Sequence, residues 1–417
     1  MDIDALALLL AAGANPNYRC INNPPDAPDR DYFGNPTNLN LLYPLHHAAW
    51  LSYLTPEIES VGYVITQKLL DNGADPLAKY ENSNTILHHL IESGGLVEPF
   101  WGFPQLDLER RGLGGRTLLL SACRTNKTLH EMREAKNMSE KLSHITTLLD
   151  RGAVVDAVDE QGLNALHWLS DTEWPLNESQ QMGFIAILDR APQLIHQRDY
   201  QGFTPLHFAS TKLNKWAFET LVARGANPLE TTAFGDTVLH LITQKLYGAK
   251  EQSARAVELF EKAVALGVPV NARNDVGETL IFDFMASNPS ALSYEGCQDP
   301  VDYREVFGVV KNAGVDFSVR NNAGESLLHI VVKRPSHSPA HHMEWGMMRT
   351  DMTWRFQDLL ALGVDPLTED NQQRTAIDVA ATLGLGYIVN MFQGSEIEVS
   401  MPDTAKGVPF GVSPWVL

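Results

Sequence analysis

Short apolar segments with helical spacing recur along this chain, each opened by a small polar residue and closed, after a second such segment, by a glycine. The stretch from Gly202 to Gly235, GFTPLHFASTKLNKWAFETLVARGANPLETTAFG, has the unit in its shortest form. Thr204 carries the hydroxyl that an N-cap needs, and Pro205 suits the first helical position because it has no N–H to lose. Leu206 and Ala209 then share one face. Phe218, Leu221 and Val222 make the apolar stripe of a second helix, and Gly225 stands where a left-handed C′ residue would end it. Asn227-Pro228 turns the chain, and Gly235 relaxes the backbone before the next start at Thr237. The pattern predicts a helical hairpin, which cannot bury both of its faces alone.

Equivalent starts fall at Tyr43, Thr85, Thr117, Asn164, Thr204, Thr237, Thr279, Ser326 and Thr375, with steps of 42, 32, 47, 40, 33, 42, 47 and 49 residues. The irregularity is confined to one half of the unit. From Gly73, Gly152, Gly225, Gly267, Gly314 and Gly363 to the next start the distance is always 12 residues, whereas from start to glycine it is 30, 35, 21, 30, 35 and 37. Extra residues therefore enter between or within the helices of a pair, and the connection between pairs keeps its length.

The motif T-P-L-H-x-A stands in full at Thr204 to Ala209 and with one departure at Tyr43 to Ala48, on a shortest step of 33 residues. On these residues the chain resembles an ankyrin-repeat array of about nine units over residues 1–393. The resemblance implies an all-α fold, an α-solenoid of stacked helix pairs with β-hairpin-like fingers, and a concave binding surface made by inner helices and finger tips. The constant connection would be the finger, and the inserts would lie at the opposite edge. Two units depart from the pattern. One runs from Thr85 through Phe100-Trp101-Gly102-Phe103 and the other passes Pro192-Gln193-Leu194, both without the usual glycine turn.

Residues 1–17 read as the second helix of a half-repeat, because Gly13-Ala14-Asn15-Pro16 repeats Gly225-Ala226-Asn227-Pro228 and Asp2 and Asp4 are the wrong charge for a signal peptide. Residues 18–38 form a Pro/Asn-rich loop, 39–393 the array, and 394–417 a tail whose apolar end, Phe410 to Leu417, is expected to cap the last repeat. Inserts stand out at Thr125 to Ser143, Ala286 to Val301 and Arg334 to Thr353. No run approaches the ~18 apolar residues of a spanning helix, so no membrane partner is expected.

Charge narrows the partners. With 51 acidic against 32 basic residues the net charge is −19, which opposes nucleic-acid binding and suits a basic or neutral protein partner. The 3 cysteines are widely separated and odd in number, which speaks against a disulfide framework and for an intracellular, cytoplasmic or nuclear setting. A monomer is expected.

The 14 histidines invite a catalytic or metal reading. His46, His88, His167, His207, His240 and His329 lie in the start motif, and the resemblance implies that they hydrogen-bond backbone groups at the turn before the helix. The neighbouring pairs His46-His47 and His88-His89 point about 100° apart on a helix and cannot chelate together. His337, His341 and His342, near Met343, Met347 and Met348, are the alternative metal or enzymatic site, although no Cys or clear carboxylate partner accompanies them. No phosphate loop, nucleophile elbow or zinc-spaced Cys cluster is present. No cofactor, metal or enzymatic activity is therefore expected.

The expected function is a protein–protein interaction scaffold. Specificity should concentrate on finger positions just before each start, at Glu160, Gln161, Tyr200, Gln201, Asp275, Val276, Asn322 and Ala323. The alternative is the recognition module of a larger protein, a ubiquitin-ligase adaptor or a receptor-type chain.

Overall fold

The computed structural model describes residues 3–18, 43–45, 48, 56–78, 84–93, 97–103, 106–124, 144–173, 175–246, 250–287, 303–333 and 344–390. Among these the chain is all-α: there is no strand, and Arg320 and Ser326 form an isolated antiparallel bridge. His46 and His47, most of the loop 18–38, the insert 125–143, most of the insert 286–301, the segment with His337, His341, His342 and Met343, and the tail 394–417 lie outside the described residues. Within the insert from Arg334 to Thr353, residues from Glu344 onward belong to a helix.

The chain forms two compact units, Met1–Ala226 and Asn227–Leu417. The first contains α1 (Ile3–Ala11), α2 (Pro56–Asp71), α3 (Ile86–Ser93), α4 (Leu118–Cys123), α5 (Ile145–Asp150), α6 (Ala165–Ser170), α7 (Glu178–Arg190), α8 (Pro205–Thr211) and α9 (Lys215–Ala223). The short helices that follow the predicted starts pack in series, α3 on α4, α4 on α6 and α6 on α8, while α5 packs on α7 and α9 on α8. The second unit contains α10 (Val238–Thr243), α11 (Lys250–Ala265), α12 (Leu280–Ala286), α13 (Tyr303–Asn312), α14 (Leu327–Lys333), α15 (Glu344–Ala361), α16 (Ala376–Thr382) and α17 (Gly386–Asn390). It repeats the arrangement, with α10, α12, α14 and α16 in series and α11 on α10, α15 on α14 and α17 on α16.

A helix apolar on every side must be surrounded. All six residues of α4 and all six of α10 are buried, so these short helices are the core of their units. Burying the side chains of Val238, Leu239, Leu241 and Ile242 contributes on the order of 1.5–3 kcal/mol each relative to exposure. Helices this short are marginal alone. Their stability comes from neighbours and from their ends.

Several of the starts work as reciprocal caps. Thr204 N–H donates 3.0 Å to His207 Nδ1, and Thr237 N–H donates 3.1 Å to His240 Nδ1, while each threonine hydroxyl accepts from the backbone of the same histidine. At Thr375 an aspartate fills the histidine's place: Thr375 N–H donates 2.9 Å to Asp378 Oδ2. The expected stops are present too. Gly225 has φ 101°, and Ala226 N–H reaches back 2.9 Å to Leu221 O, which closes the last turn of α9. In the two departing units a 3₁₀ turn replaces the glycine, at Glu98–Gly102 and at Pro192–His196. Phe100 in the first is fully buried, whereas Trp101 is half-buried beneath the Arg151 guanidinium, 4.6 Å from its ring centre.

The helix of the half-repeat, α1, packs against α2, and Asn17 ties them: its Nδ2 donates 2.7 Å to Gly73 O and its Oδ1 accepts 2.7 Å from Asp75 N–H. Asn271 makes the same pair of bonds to Gly314 O and Asp316 N–H in the second unit.

The β-hairpin-like fingers are a correction. In a hairpin, Asp199 and Phe203 would exchange both backbone bonds. Asp199 N–H does donate 2.9 Å to Phe203 O, but the Phe203 N–H goes to the Asp199 carboxylate at 2.7 Å, and Asp199 O takes the Gly202 N–H instead. A side-chain oxygen has displaced the second rung, so each connection is a tight turn.

Candidate functional site

The same turn is built repeatedly. Asp159, Asp199, Thr232, Asn274, Asn321 and Asp370 each accept, through one side-chain oxygen, the N–H groups two and four residues on. The residue at the fourth position of each turn has positive φ: 81° at Gly162, 79° at Gly202, 80° at Gly235, 78° at Gly277, 77° at Gly324 and 58° at Gln373. Turn residues one and two positions after the capping side chain stand at the tip.

The eight expected site residues are these tips, and all are exposed. Among the large hydrophobic side chains of the described residues Tyr200 is the most exposed, at 75%. Glu160, Gln161, Tyr200 and Gln201 lie on neighbouring turns of the first unit, and Asp275, Val276, Asn322 and Ala323 on neighbouring turns of the second. Their backbones are occupied. Glu160 N–H donates 3.0 Å to Gly114 O, Tyr200 to Gln161 O, Asp275 to Phe234 O and Asn322 to Val276 O, each at 3.0 Å, and Asn371 to Ala323 O at 2.9 Å. These backbone bonds fix the spacing of the turns, and the eight residues are exposed.

Phe234, 56% exposed, and Leu113, 47% exposed, are tips outside the sequence-based expectation. The signal for Phe234 is its place two residues after Thr232 and one before Gly235, which matches Val276 before Gly277. The arginines four residues before a positive-φ glycine were equally legible and equally absent from it: Arg198, Arg273 and Arg320 each precede a capping side chain, and Arg111 precedes Gly112 at the matching place. Arg111 donates 2.6 Å to Gly115 O of its own turn and 2.7 Å to Val158 O of the next. Arg320 likewise bonds Gly324 O and Glu369 O, Arg273 bonds Arg320 O, and Arg198 bonds Gly202 O. A guanidinium has enough donors to clasp two turns at once. In the first unit Arg111, Gly112, Gly115, Val158, Asp159, Glu160 and Tyr200 line an open groove of about 410 Å³.

Beneath the tips the histidines connect each helix start to the next turn. His88, His167, His240 and His329 place Nε2 against the carbonyls of Arg116, Phe203, Glu278 and Arg374, at 3.2, 3.0, 3.2 and 2.9 Å. Nδ1 faces a backbone N–H and Nε2 a carbonyl, so the ring is held neutral with its proton on Nε2. Burial lowers all four from the ordinary imidazole value, His167 to about 4. The histidines thus bind the following turn as well as the cap of their own helix.

One carboxylate on the helix face is out of character. Asp283 on α12 occupies the position held by Trp168, Phe208 and Leu241 in other short helices. Burial, together with Asp236 and Glu278, pushes it up to about 7 despite a 3.1 Å bond from Gln244. Of the three, Leu241 is buried, while Trp168 and Phe208 are half-buried. Trp168 donates 3.1 Å to Asp159 Oδ2, and Phe208 packs edge-on against His167.

Among the described residues no group of three or more His, Cys, Asp and Glu is placed to hold a metal ion, and no helix is long and apolar enough to cross a membrane. The buried Cys123 thiol is pushed above its ordinary range by desolvation.

No protein-family model matches the chain. Over 157 residues it is 27% identical to Alpha-latrotoxin-Lg1a of Latrodectus geometricus. The match takes in 36% of this chain and 10% of that protein, so the chain corresponds to about a tenth of the curated relative.

Proposed function

We propose that each unit is a stack of ankyrin-type helix pairs and that the protein is an interaction scaffold, a monomer in an intracellular setting that captures a protein partner along its turn tips. The observation that carries this is the division of labour at the tips. Backbone bonds from turn to turn hold Glu160, Tyr200, Asp275 and Asn322 in place, while their side chains are exposed. Such a surface is ordered before binding, so little conformational entropy is lost on association. Affinity capture with the intact chain and with a Glu160→Lys, Asp275→Lys variant tests it. The variant is expected to lose its partners with unchanged helical circular dichroism, and unchanged capture would move the site to the inserts.

A second reading, the recognition module of a larger protein, is favoured by the likeness to a short segment of a much longer chain. Sequencing the transcript on both sides of this coding stretch decides it, by finding or not finding a further in-frame domain.

A further inference from the structure

In the second unit the residue after the capping side chain follows a rule. Asn322 lies over Gly277 and donates its Nδ2–H 2.9 Å to Asp275 O, and Asn371 lies over Gly324 and donates 3.0 Å to Asn322 O. Asp275 stands over Gly235 in the same manner, its Oδ1 2.8 Å from the place of a Cβ on that glycine. A carboxylate has no hydrogen to give. The corresponding carbonyl, Ala233 O, accepts no hydrogen bond among the described residues. By analogy with the two neighbouring turns, the Asp275 carboxylate takes the place from which their amides donate, so an acceptor stands there instead of a donor. Phe234 and Val276, each 56% exposed, stand beside them.

We propose that Asp275, with Ala233 O and the Phe234 ring, receives a basic side chain, an ammonium or guanidinium, from an extended segment of a protein partner. The cation supplies N–H donors to both oxygens, and its methylene stem lies along Phe234 and Val276. The site is formed in advance, because Asp275 N–H is already bonded 3.0 Å to Phe234 O. The net charge of −19 favours the approach of such a segment. This assignment rests on the turn-tip reading above and narrows it to one residue and one chemistry.

Fluorescence anisotropy of labelled octa-arginine with the full chain, at about 0.15 M salt, tests the proposal. Asp275→Asn should weaken binding about fivefold and Phe234→Ala about threefold. Glu261→Gln, an equal charge change at an exposed site on α11, should stay within about twofold because exposed charges act weakly at a distance. Asp275→Asn should also melt at or above the parent temperature, since the new amide can donate to Ala233 O. Equal losses from Asp275→Asn and Glu261→Gln overturn the proposal, as does a lower melting temperature for Asp275→Asn. Binding that ignores Asp275→Asn but falls with Glu160→Gln, Tyr200→Ala in the first unit overturns this assignment and leaves the turn-tip reading standing. Binding that ignores every tip variant overturns both.

Discussion

His167 Nε2 lies 3.0 Å from the carbonyl of Phe203, 36 residues further along, while its Nδ1 accepts 3.1 Å from Asn164 N–H. One ring thereby joins the start of α6 to the turn that precedes α8. Protonation at Nδ1 would set two hydrogens against each other in a fully buried site.

The joint should weaken in acid. Folded His167 titrates at about 4 against an ordinary 6.5, so between these values the unfolded chain binds more protons. Its contribution is complete above pH 6.5, is lost as pH falls towards 4, and amounts to roughly 3 kcal/mol. His88, His240 and His329 shift in the same direction. Urea denaturation from pH 7.5 to 4.5 should show the decline, and His167→Phe should show a shallower one. A flat profile would contradict the neutral-ring assignment.

Asp283 has the opposite sign. Its folded value is raised to about 7, so the carboxyl opposes folding increasingly as pH rises from 3.8 through 7. Asp283→Asn should stabilise the second unit by about 2 kcal/mol at pH 8, a value reduced for its half-buried position, and change little at pH 4. Thermal melts of both proteins at the two pH values would check this.

Two threonines at equivalent starts should respond differently to the same change. Thr237 Oγ1 is 2.8 Å from His240 Nδ1, whereas Thr279, followed by Phe282 in the histidine's place, has a buried hydroxyl without a partner among the described residues. Thr237→Val should cost about 1–2 kcal/mol. Thr279→Val should be neutral or mildly stabilising, because no hydrogen bond is lost and a desolvated hydroxyl is removed. Equal losses in chemical denaturation would refute the distinction.

Gly277 is required twice over. Its φ is 78°, and a Cβ would stand 2.2 Å from Asn322 Oδ1 and 2.9 Å from Asn322 N. Gly277→Ala should therefore cost about 2–4 kcal/mol, the sum of left-handed strain and a displaced Asn322 amide. Gln373 tolerates φ 58° at the matching place, and Gln373→Gly should alter stability by no more than about 1 kcal/mol. Denaturant midpoints of the two variants are the measurement.

The helix limits were legible because capping is local chemistry. Thr237 and His240 sit three residues apart, and Gly225 marks its own stop, so identity and spacing suffice. The turns were less so. Whether Phe203 N–H bonds Asp199 O or the Asp199 side chain is a contest between two nearby acceptors, and both outcomes fit one sequence. The exposed tips at Glu160 and Asp275 followed from the constant 12-residue connection, whereas the acceptor pair at Asp275 emerges only when Asn322 and Asn371 are seen to donate backwards.

The backbone bond that one turn sends to the turn before it makes those amides reporters. Tyr200 N–H is shielded from deuterium by Gln161 O, and Asn322 N–H by Val276 O, so each exchanges when the turn before it opens. Exchange rates read along Glu160 and Tyr200 in the first unit, and along Asp275, Asn322 and Asn371 in the second, would give the order in which neighbouring repeats let go.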